Sequence, residues 1–275
     1  MSAGAAATAG VLSKSSLVFS PNLWNVFFDT DHNVGLNSPT LLSNLLNRST
    51  AYPAAKVSQF ATIYPTLLTN WRNGRQGWRC ETAGAPFWKA LNNAGTIASW
   101  PVSNVQGTYS QMLVMDSFQA PAIADNIWRY PDYQGVSITG NLESCTFYIQ
   151  GSNGAILQYA ALTPSTPHNV MARTAIPPTG TPMIVLAQYN GVLGGRLRMW
   201  PHGLPVVDVT IPNVGVSNNT SREFTWGARN ISSGPTEGWT GGMAAYAYSV
   251  GVVSDAVAAA TLSAMSSYYN IVPSP

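Results

Sequence analysis

The sequence has 275 residues, of which 45% are hydrophobic and only 9% are charged, and its formal net charge is +2. Average soluble domains contain about 25% charged residues, so Ser, Thr, Asn, Gln and Gly must cover much of the surface. Nine Trp, twelve Tyr and eight Phe exclude a disordered chain, which would be poor in aromatic residues. No uninterrupted apolar run reaches the roughly 20 residues of a membrane-spanning helix, so we expect no membrane insertion.

The low charge also bears on partners. A surface of hydroxyl and amide groups suits a protein that packs among copies of itself or meets neutral sugars, because little charge must be desolvated on contact. Lysine is nearly absent, and the nearest approach to a basic patch is Trp71–Arg79, in which three Arg are interleaved with two Trp. We therefore expect no nucleic-acid partner. Cys80 and Cys145 are predicted to be buried small apolar residues, with a disulfide bridge as the alternative.

The N-terminal segment is rich in Ala, Gly, Ser and Thr through residue 10 and has neither the basic nor the apolar region of a secretory signal. We expect residues 1–20 to form an arm held by a neighbouring subunit. No internal repeat or charged linker divides the remainder, so residues 21–275 are predicted to form one domain.

Leucine spacing within Leu36–Leu46 predicts a short amphipathic helix or a turn. From about residue 96 onward, β-branched and aromatic runs separated by turn residues predict strands. Cys145–Gln150, followed by a Gly-Ser-Asn-Gly turn and a second apolar run, predicts a β-hairpin. Further strands are predicted at Met183–Tyr189, Arg196–Trp200, Val206–Ile211 and Met243–Val250.

The C-terminal segment contains the one strong helix signal. Ser254 is a suitable N-cap, and Asp255 would lie in the first turn, where the helix dipole favours it. Good helix formers continue to Tyr268, and Asn270 follows. Many short strands with one terminal helix predict an all-β sandwich.

Three stretches, in the same order and with similar spacing, resemble the concanavalin A-like, laminin G-like jelly-roll family, including its phage members. The resemblance covers roughly residues 20–270 and implies a jelly-roll β-sandwich with a short C-terminal helix. It also implies that Trp78 and Cys80 point inward while Arg75 and Arg79 point outward. The matching stretches are Tyr64–Arg79 after the opening Trp24–Asp31, Met183–Pro205, and Phe224–Asn230 with Trp239–Met243.

Catalytic patterns are missing from the sequence. Glycosidases of this fold carry Glu-x-Asp-x-Glu on one strand, which sets two carboxyl groups about 5 Å apart, and no such spacing occurs. None of the three histidines lies beside a Gly-x-Ser-x-Gly motif. We therefore expect a protein that is not an enzyme.

Two candidate binding sites remain. Asp29 and Asp31 are oxygen ligands that could hold Ca²⁺, although an Asx-rich turn is the favoured interpretation. Aromatic and polar residues between 125 and 133, outside any clear strand, could bind a sugar, or could instead plug one end of the sandwich or an interface. The sugar-binding candidates are Trp128, Tyr130, Asp132 and Tyr133, with Trp239 as a weaker one.

Two functions fit this sequence. The first is a structural virion protein of a tailed bacteriophage, a capsid decoration or tail-associated component. It would be assembled in the host cytoplasm, contact other virion proteins and copies of itself, and could also contact host surface glycans. The alternative is a carbohydrate-binding module or adhesin without a structural role. Apart from Ca²⁺ at Asp29 and Asp31, no cofactor is expected.

Overall fold

The fold is taken from a computed structural model, which describes residues 23–31, 34–38, 41–50, 56–59, 65–79, 88–91, 108–117, 128–129, 131–135, 145–150, 156–161, 169–190, 193–213, 223–231, 234–236 and 238–275. The predicted arm and Cys80 lie outside these ranges. The described residues form twenty strands and one helix. In chain order these are β1 (Val26–Asp29), β2 (Val34–Ser38), β3 (Leu41–Leu46), β4 (Lys56–Gln59), β5 (Thr66–Arg72), β6 (Arg75–Arg79), β7 (Trp88–Leu91), β8 (Tyr109–Asp116), β9 (Trp128–Arg129), β10 (Asp132–Gly135), β11 (Cys145–Gln150), β12 (Ile156–Ala161), β13 (Asn169–Ala175), β14 (Pro182–Asn190), β15 (Gly194–Pro201), β16 (Val207–Ile211), β17 (Glu223–Trp226), β18 (Arg229–Ile231), β19 (Gly234–Thr236), β20 (Met243–Ser249) and α1 (Asp255–Tyr269).

Hydrogen bonds join the strands into one large and two small antiparallel sheets. The large sheet has fourteen strands in the order β10-β17-β7-β4-β3-β5-β6-β20-β8-β14-β15-β16, with β1 beside β20 and β2 beside β3. A four-stranded sheet has the order β13-β12-β11-β9, and β18 pairs with β19. The predicted hairpin is confirmed, because β11 and β12 are antiparallel neighbours.

The central strands of the large sheet are buried on both faces. On one face, Leu113 and Val185 share a core cluster with Phe147 of the four-stranded sheet. On the other face, Val114 shares a second cluster with Leu262 of α1. Because strand side chains alternate between faces, β8 and β14 must be apolar along nearly their whole length. The four-stranded sheet and the helix therefore cover opposite faces of the same strands.

Strand β17 of the large sheet also packs against β6 and β20 of the same sheet. Trp226 of β17 meets Trp78 of β6 edge to face, with ring centroids 5.1 Å apart. Phe224 of β17 lies 4.5 Å from Tyr246 of β20, again between ring centroids. Aromatic pairs in such geometries add to the stabilisation from burial alone. Trp78 is fully buried, as the family resemblance implies.

Helix α1 begins and ends as its sequence predicts. The Ser254 side chain accepts a hydrogen bond from the Val257 N–H, and Asn270 ends the helix in the left-handed conformation with φ of 52°. Thr261 and Met265 are buried against the sheet. Among the described residues, no helix is long and apolar enough to cross a membrane.

A buried polar network joins β1, the β5–β6 hairpin and α1. Asp31 accepts a hydrogen bond of 2.9 Å from the Gln76 N–H and one of 2.6 Å from the Tyr268 hydroxyl. The Arg75 guanidinium lies 3.9 Å from the centre of the Tyr268 ring and 3.8 Å from the Asp31 carboxylate. Burial, followed by the bond to Asp31, raises the pKa of Tyr268 well above its ordinary value. Tyr268 therefore stays protonated and donates to Asp31.

Three sequence predictions are wrong. The helix or turn predicted within Leu36–Leu46 is replaced by parts of β2 and β3, which pair with each other. Strands begin at Val26, far before residue 96. Arg75 does not point outward: it is buried beside Tyr268, whereas Arg79 is exposed as expected.

We expect Tyr268→Phe to lower the free energy of unfolding by about 1–3 kcal/mol, because it leaves a buried carboxylate oxygen without its donor. Urea unfolding followed by tryptophan fluorescence measures this change. Tyr269→Phe is the matched control, since the Tyr269 hydroxyl is buried without a hydrogen-bond partner among the described residues. Equal losses in both variants would contradict a specific role for the Asp31 bond.

Candidate functional site

The aromatic stretch predicted to bind a sugar belongs to strands. Trp128 pairs with β11 through Gln150, while Asp132 and Tyr133 pair with β17. The expectation that this stretch lies outside any strand is therefore wrong. The structure describes only the backbone of these three residues, and Tyr130 lies outside the described residues. Sugar contact by this group stays a prediction.

Trp239 does not offer a face to a sugar, because its side chain is fully buried. Its indole N–H donates a 3.2 Å hydrogen bond to the backbone carbonyl of Asp116. Its backbone N–H donates to the carbonyl of Gly227 at 2.7 Å. The prediction of Trp239 as a direct sugar ligand is corrected: this residue supports the end of β8 from inside the core.

Asp29 and Asp31 form the Asx turn that the sequence favours. The Asp29 carboxylate accepts a 2.9 Å hydrogen bond from the Asp31 N–H and pairs with the Arg48 guanidinium. Both carboxylates are buried, and each already faces an arginine. Within the described part of the chain, no three His, Cys, Asp or Glu side chains gather as metal ligands do. These contacts give both aspartates a structural role, and Ca²⁺ ligation by them stays a prediction.

A pocket of about 280 Å³ opens where β8 ends and β14 and β20 begin. We call it the Asp116 pocket. Its volume is close to the lower end of the range of about 300–1,000 Å³ for small-molecule sites. It is lined by Leu68, Arg79, Asp116, Ser117, Thr179–Gly180 and Thr240–Gly242.

Asp116 lies on the helix-facing side of the sheet. Met112 and Val114 of the same strand lie on this face too, because alternate residues of a strand share a face. Asp116 Oδ2 accepts a 2.9 Å hydrogen bond from the Trp71 indole N–H. Its Oδ1 is buried and has no hydrogen-bond partner among the described residues, and the Arg72 guanidinium lies 3.8 Å away. Burial raises the pKa of Asp116 above its ordinary value of 3.8, although the bond from Trp71 and the charge of Arg72 oppose the rise.

Ser117 fixes the loop that forms one wall of the pocket. Its hydroxyl donates to the Pro178 carbonyl and accepts from the Thr181 N–H at 3.0 Å. Its backbone N–H donates to the Thr181 carbonyl at 2.7 Å, and its carbonyl accepts from the Gly180 N–H at 2.9 Å. Together these hydrogen bonds hold Thr179 at the rim.

Gly242 allows the opposite wall to approach β8. Its carbonyl accepts a 2.7 Å hydrogen bond from the Asp116 N–H. A Cβ at Gly242 would lie 2.6 Å from Asp116 Oδ2 and would also collide with the Trp71 indole nitrogen. Only a residue without a side chain fits beside this hydrogen-bonded pair.

Sequence reasoning misses this pocket because it searches for exposed aromatic residues. Among the described residues that line the pocket, none is aromatic. A usable signal is present in Asp116-Ser117 at the end of an apolar strand and in the Thr240-Gly241-Gly242 turn. What joins them is the pairing of β8 with β20, which links positions more than a hundred residues apart.

We expect Gly242→Ala to lower the free energy of unfolding by about 1–3 kcal/mol, the usual cost of overpacking a close contact. Urea unfolding measures the loss. Gly251→Ala is the control, since a Cβ there meets no atom within 4 Å. A Gly242→Ala variant as stable as this control would show that the two walls can separate freely.

We expect Asp116→Asn to become more stable relative to the natural protein as pH rises from below 3.8. The folded state holds the Asp116 proton to a higher pH than the unfolded chain does, so the free energy of unfolding falls as pH rises through the raised pKa. Asn does not titrate and lacks this dependence. Urea unfolding of both proteins between about pH 3 and pH 8 tests the prediction, and a constant difference across that range would refute it.

No protein-family model matches the sequence, and no curated protein is similar to it. Solved structures with a similar fold include the botulinum neurotoxin serotype G binding domain, with a TM-score of 0.57, 6% identity and coverage of 89% of this chain and 51% of that chain. The receptor binding domain of the botulinum neurotoxin C/D mosaic serotype has a TM-score of 0.54 and 9% identity. The match covers 88% of this chain and 51% of that chain. The botulinum neurotoxin serotype D ligand binding domain in complex with N-acetylneuraminic acid has a TM-score of 0.52 and 9% identity. The match covers 93% of this chain and 52% of that chain. The chain thus spans about half the length of these structures, and the predicted all-β sandwich with one C-terminal helix is confirmed.

Proposed function

We propose that this chain is a carbohydrate-binding domain and that the Asp116 pocket is its glycan site. The observation that carries the proposal is a concave pocket with threonine and arginine side chains at the end of the central strands, on a fold shared with toxin binding domains. One of those similar structures is a complex with N-acetylneuraminic acid. At 9% identity that likeness concerns the fold, so the argument for this chain rests on its own pocket.

The chemistry of the pocket suits a ligand with several hydroxyl groups. Thr179 is exposed and Thr240 is partly exposed at the rim, and each hydroxyl can both donate and accept a hydrogen bond. Arg79 adds donors, and Leu68 adds an apolar contact. Hydrogen bonds, rather than stacking on an aromatic ring, would supply most of the affinity.

A second pocket, of about 270 Å³, is less suited to a sugar. Its lining includes Leu193, which is 81% exposed, and Val252. Its cation Arg196 is already paired with Asp208, so fewer polar groups remain for a ligand. We call it the Leu193 pocket.

The virion role expected from the sequence has no support from the fold or from the similar structures. It stays a prediction, as do the virion location, the virion partners and the absence of enzymatic activity. A glycan-binding domain is compatible with attachment to many kinds of particle or cell surface, so the proposal does not depend on that role.

We expect Thr179→Trp to abolish binding on a glycan array while leaving the fold intact, because the large side chain fills the pocket from an exposed position. Thr210→Trp is the matched control, since Thr210 is exposed on β16 outside the pocket lining. Circular dichroism verifies folding of both variants. Retention of the same glycans by all three proteins would rule out the Asp116 pocket as the site.

A further inference from the structure

Residues 272–275 follow α1 and lie against the turn between β15 and β16. The Gly203 N–H of that turn donates a 2.8 Å hydrogen bond to the Val272 carbonyl. Pro205 and Ser274 pair in an isolated parallel bridge. The segment after the helix is therefore held as a short extra strand, which we call the C-terminal clasp.

One contact of the C-terminal clasp uses an imidazole nitrogen where a backbone carbonyl would be usual. The Val272 N–H donates a 3.2 Å hydrogen bond to Nδ1 of His202, so this nitrogen carries no proton while the contact is made. The His202 backbone N–H donates to the Pro182 carbonyl at 2.9 Å, which fixes the backbone of His202 beside β14. The closed clasp therefore requires the neutral ring with its proton on Nε2.

Solvent, rather than an ionic partner, controls the charge of His202. The residue is exposed, and among the described residues it takes part in no ion pair. The clasp and the first residues of β14, which contact it, contain no charged side chain. The nearest charged residues along β15 and β16, Arg198 and Asp208, face other ion-pair partners. Histidine is the side chain whose charge ordinarily changes between about pH 5 and pH 8, so this contact depends on pH.

We infer that His202 is a pH-sensitive contact that holds the C-terminal clasp closed at neutral pH and releases it in acid. A second proton on the ring binds Nδ1, which then becomes a donor and faces the donor N–H of Val272. The hydrogen bond is lost, and little apolar burial compensates for it, because Val272 is 53% exposed. Since only the neutral ring accepts this bond, the stability of the closed clasp falls as pH falls.

The release stops at Ile271, which is held independently of His202. Its side chain is fully buried in the cluster between α1 and the sheet. Its N–H donates a 2.9 Å hydrogen bond to the Ser266 carbonyl, and its own carbonyl accepts one of 2.7 Å from the Ser266 hydroxyl. Protonation of His202 therefore frees residues 272–275 and leaves the end of α1 in place.

Amide hydrogen exchange in the full chain, followed by nuclear magnetic resonance at about pH 5 and about pH 7.5, tests this inference. Protection factors remove the intrinsic pH dependence of exchange and are compared for the Val272, Gly203 and Ser274 amides. We expect each to fall about tenfold at the lower pH, the scale set by losing one hydrogen bond. The Ile271 amide is the internal control and should keep its protection.

His202→Asn separates the charge of the ring from its role as an acceptor. The Asn side-chain oxygen accepts a hydrogen bond and does not titrate, so Val272 protection in this variant should be equal at both pH values. His202→Ala, without an acceptor, should show low protection at both. Protection that is independent of pH in the natural protein would overturn the inference, as would a fall that persists in His202→Asn. A parallel loss at Ile271 would also overturn it, by showing that acid loosens α1 as a whole.

Discussion

The contact on which the architecture depends is the pair of hydrogen bonds that Asp31 accepts. They tie the end of β1 to the β5–β6 hairpin and to the last turn of α1, segments separated by up to 237 positions in the sequence. A buried carboxylate is tolerated only when such donors replace the lost water. Arg75 completes the arrangement by lying over the Tyr268 ring. The helix is thereby placed over the sheet in one position rather than resting on an apolar face that would allow sliding.

Burial of the central strands on both faces determines where a ligand can bind. Because the four-stranded sheet covers one face and α1 covers the other, β8 and β14 have accessible polar groups only at their ends. The Asp116 pocket lies at one end, and the Leu193 pocket lies at the other, beside Asn190. The positions of both follow from how completely the middle of the sheet is covered.

Sequence reasoning succeeds for elements whose signals are local. The signals for the apolar strand at Met183–Tyr189 and for the helix cap at Ser254 lie within a few neighbouring residues. Both elements are predicted correctly. The structure of Leu36–Leu46 is predicted wrongly, because leucine spacing of this kind fits a helix and a pair of strands equally well. Trp239 and Arg75 are misplaced because their partners, Asp116 and Tyr268, lie more than a hundred positions away. The candidate pocket is formed by such distant pairings, which no short stretch of the sequence reveals.

The glycine at position 242 and the serine at position 117 have a consequence for how this domain can diversify. Between them they hold the pocket walls through backbone hydrogen bonds and close contacts, while Thr179 is exposed and Thr240 is partly exposed at the rim. Exchanges at the rim can therefore alter which ligand fits without disturbing the core. Ligand choice and fold are under separate constraints, so closely similar scaffolds can come to recognise different molecules.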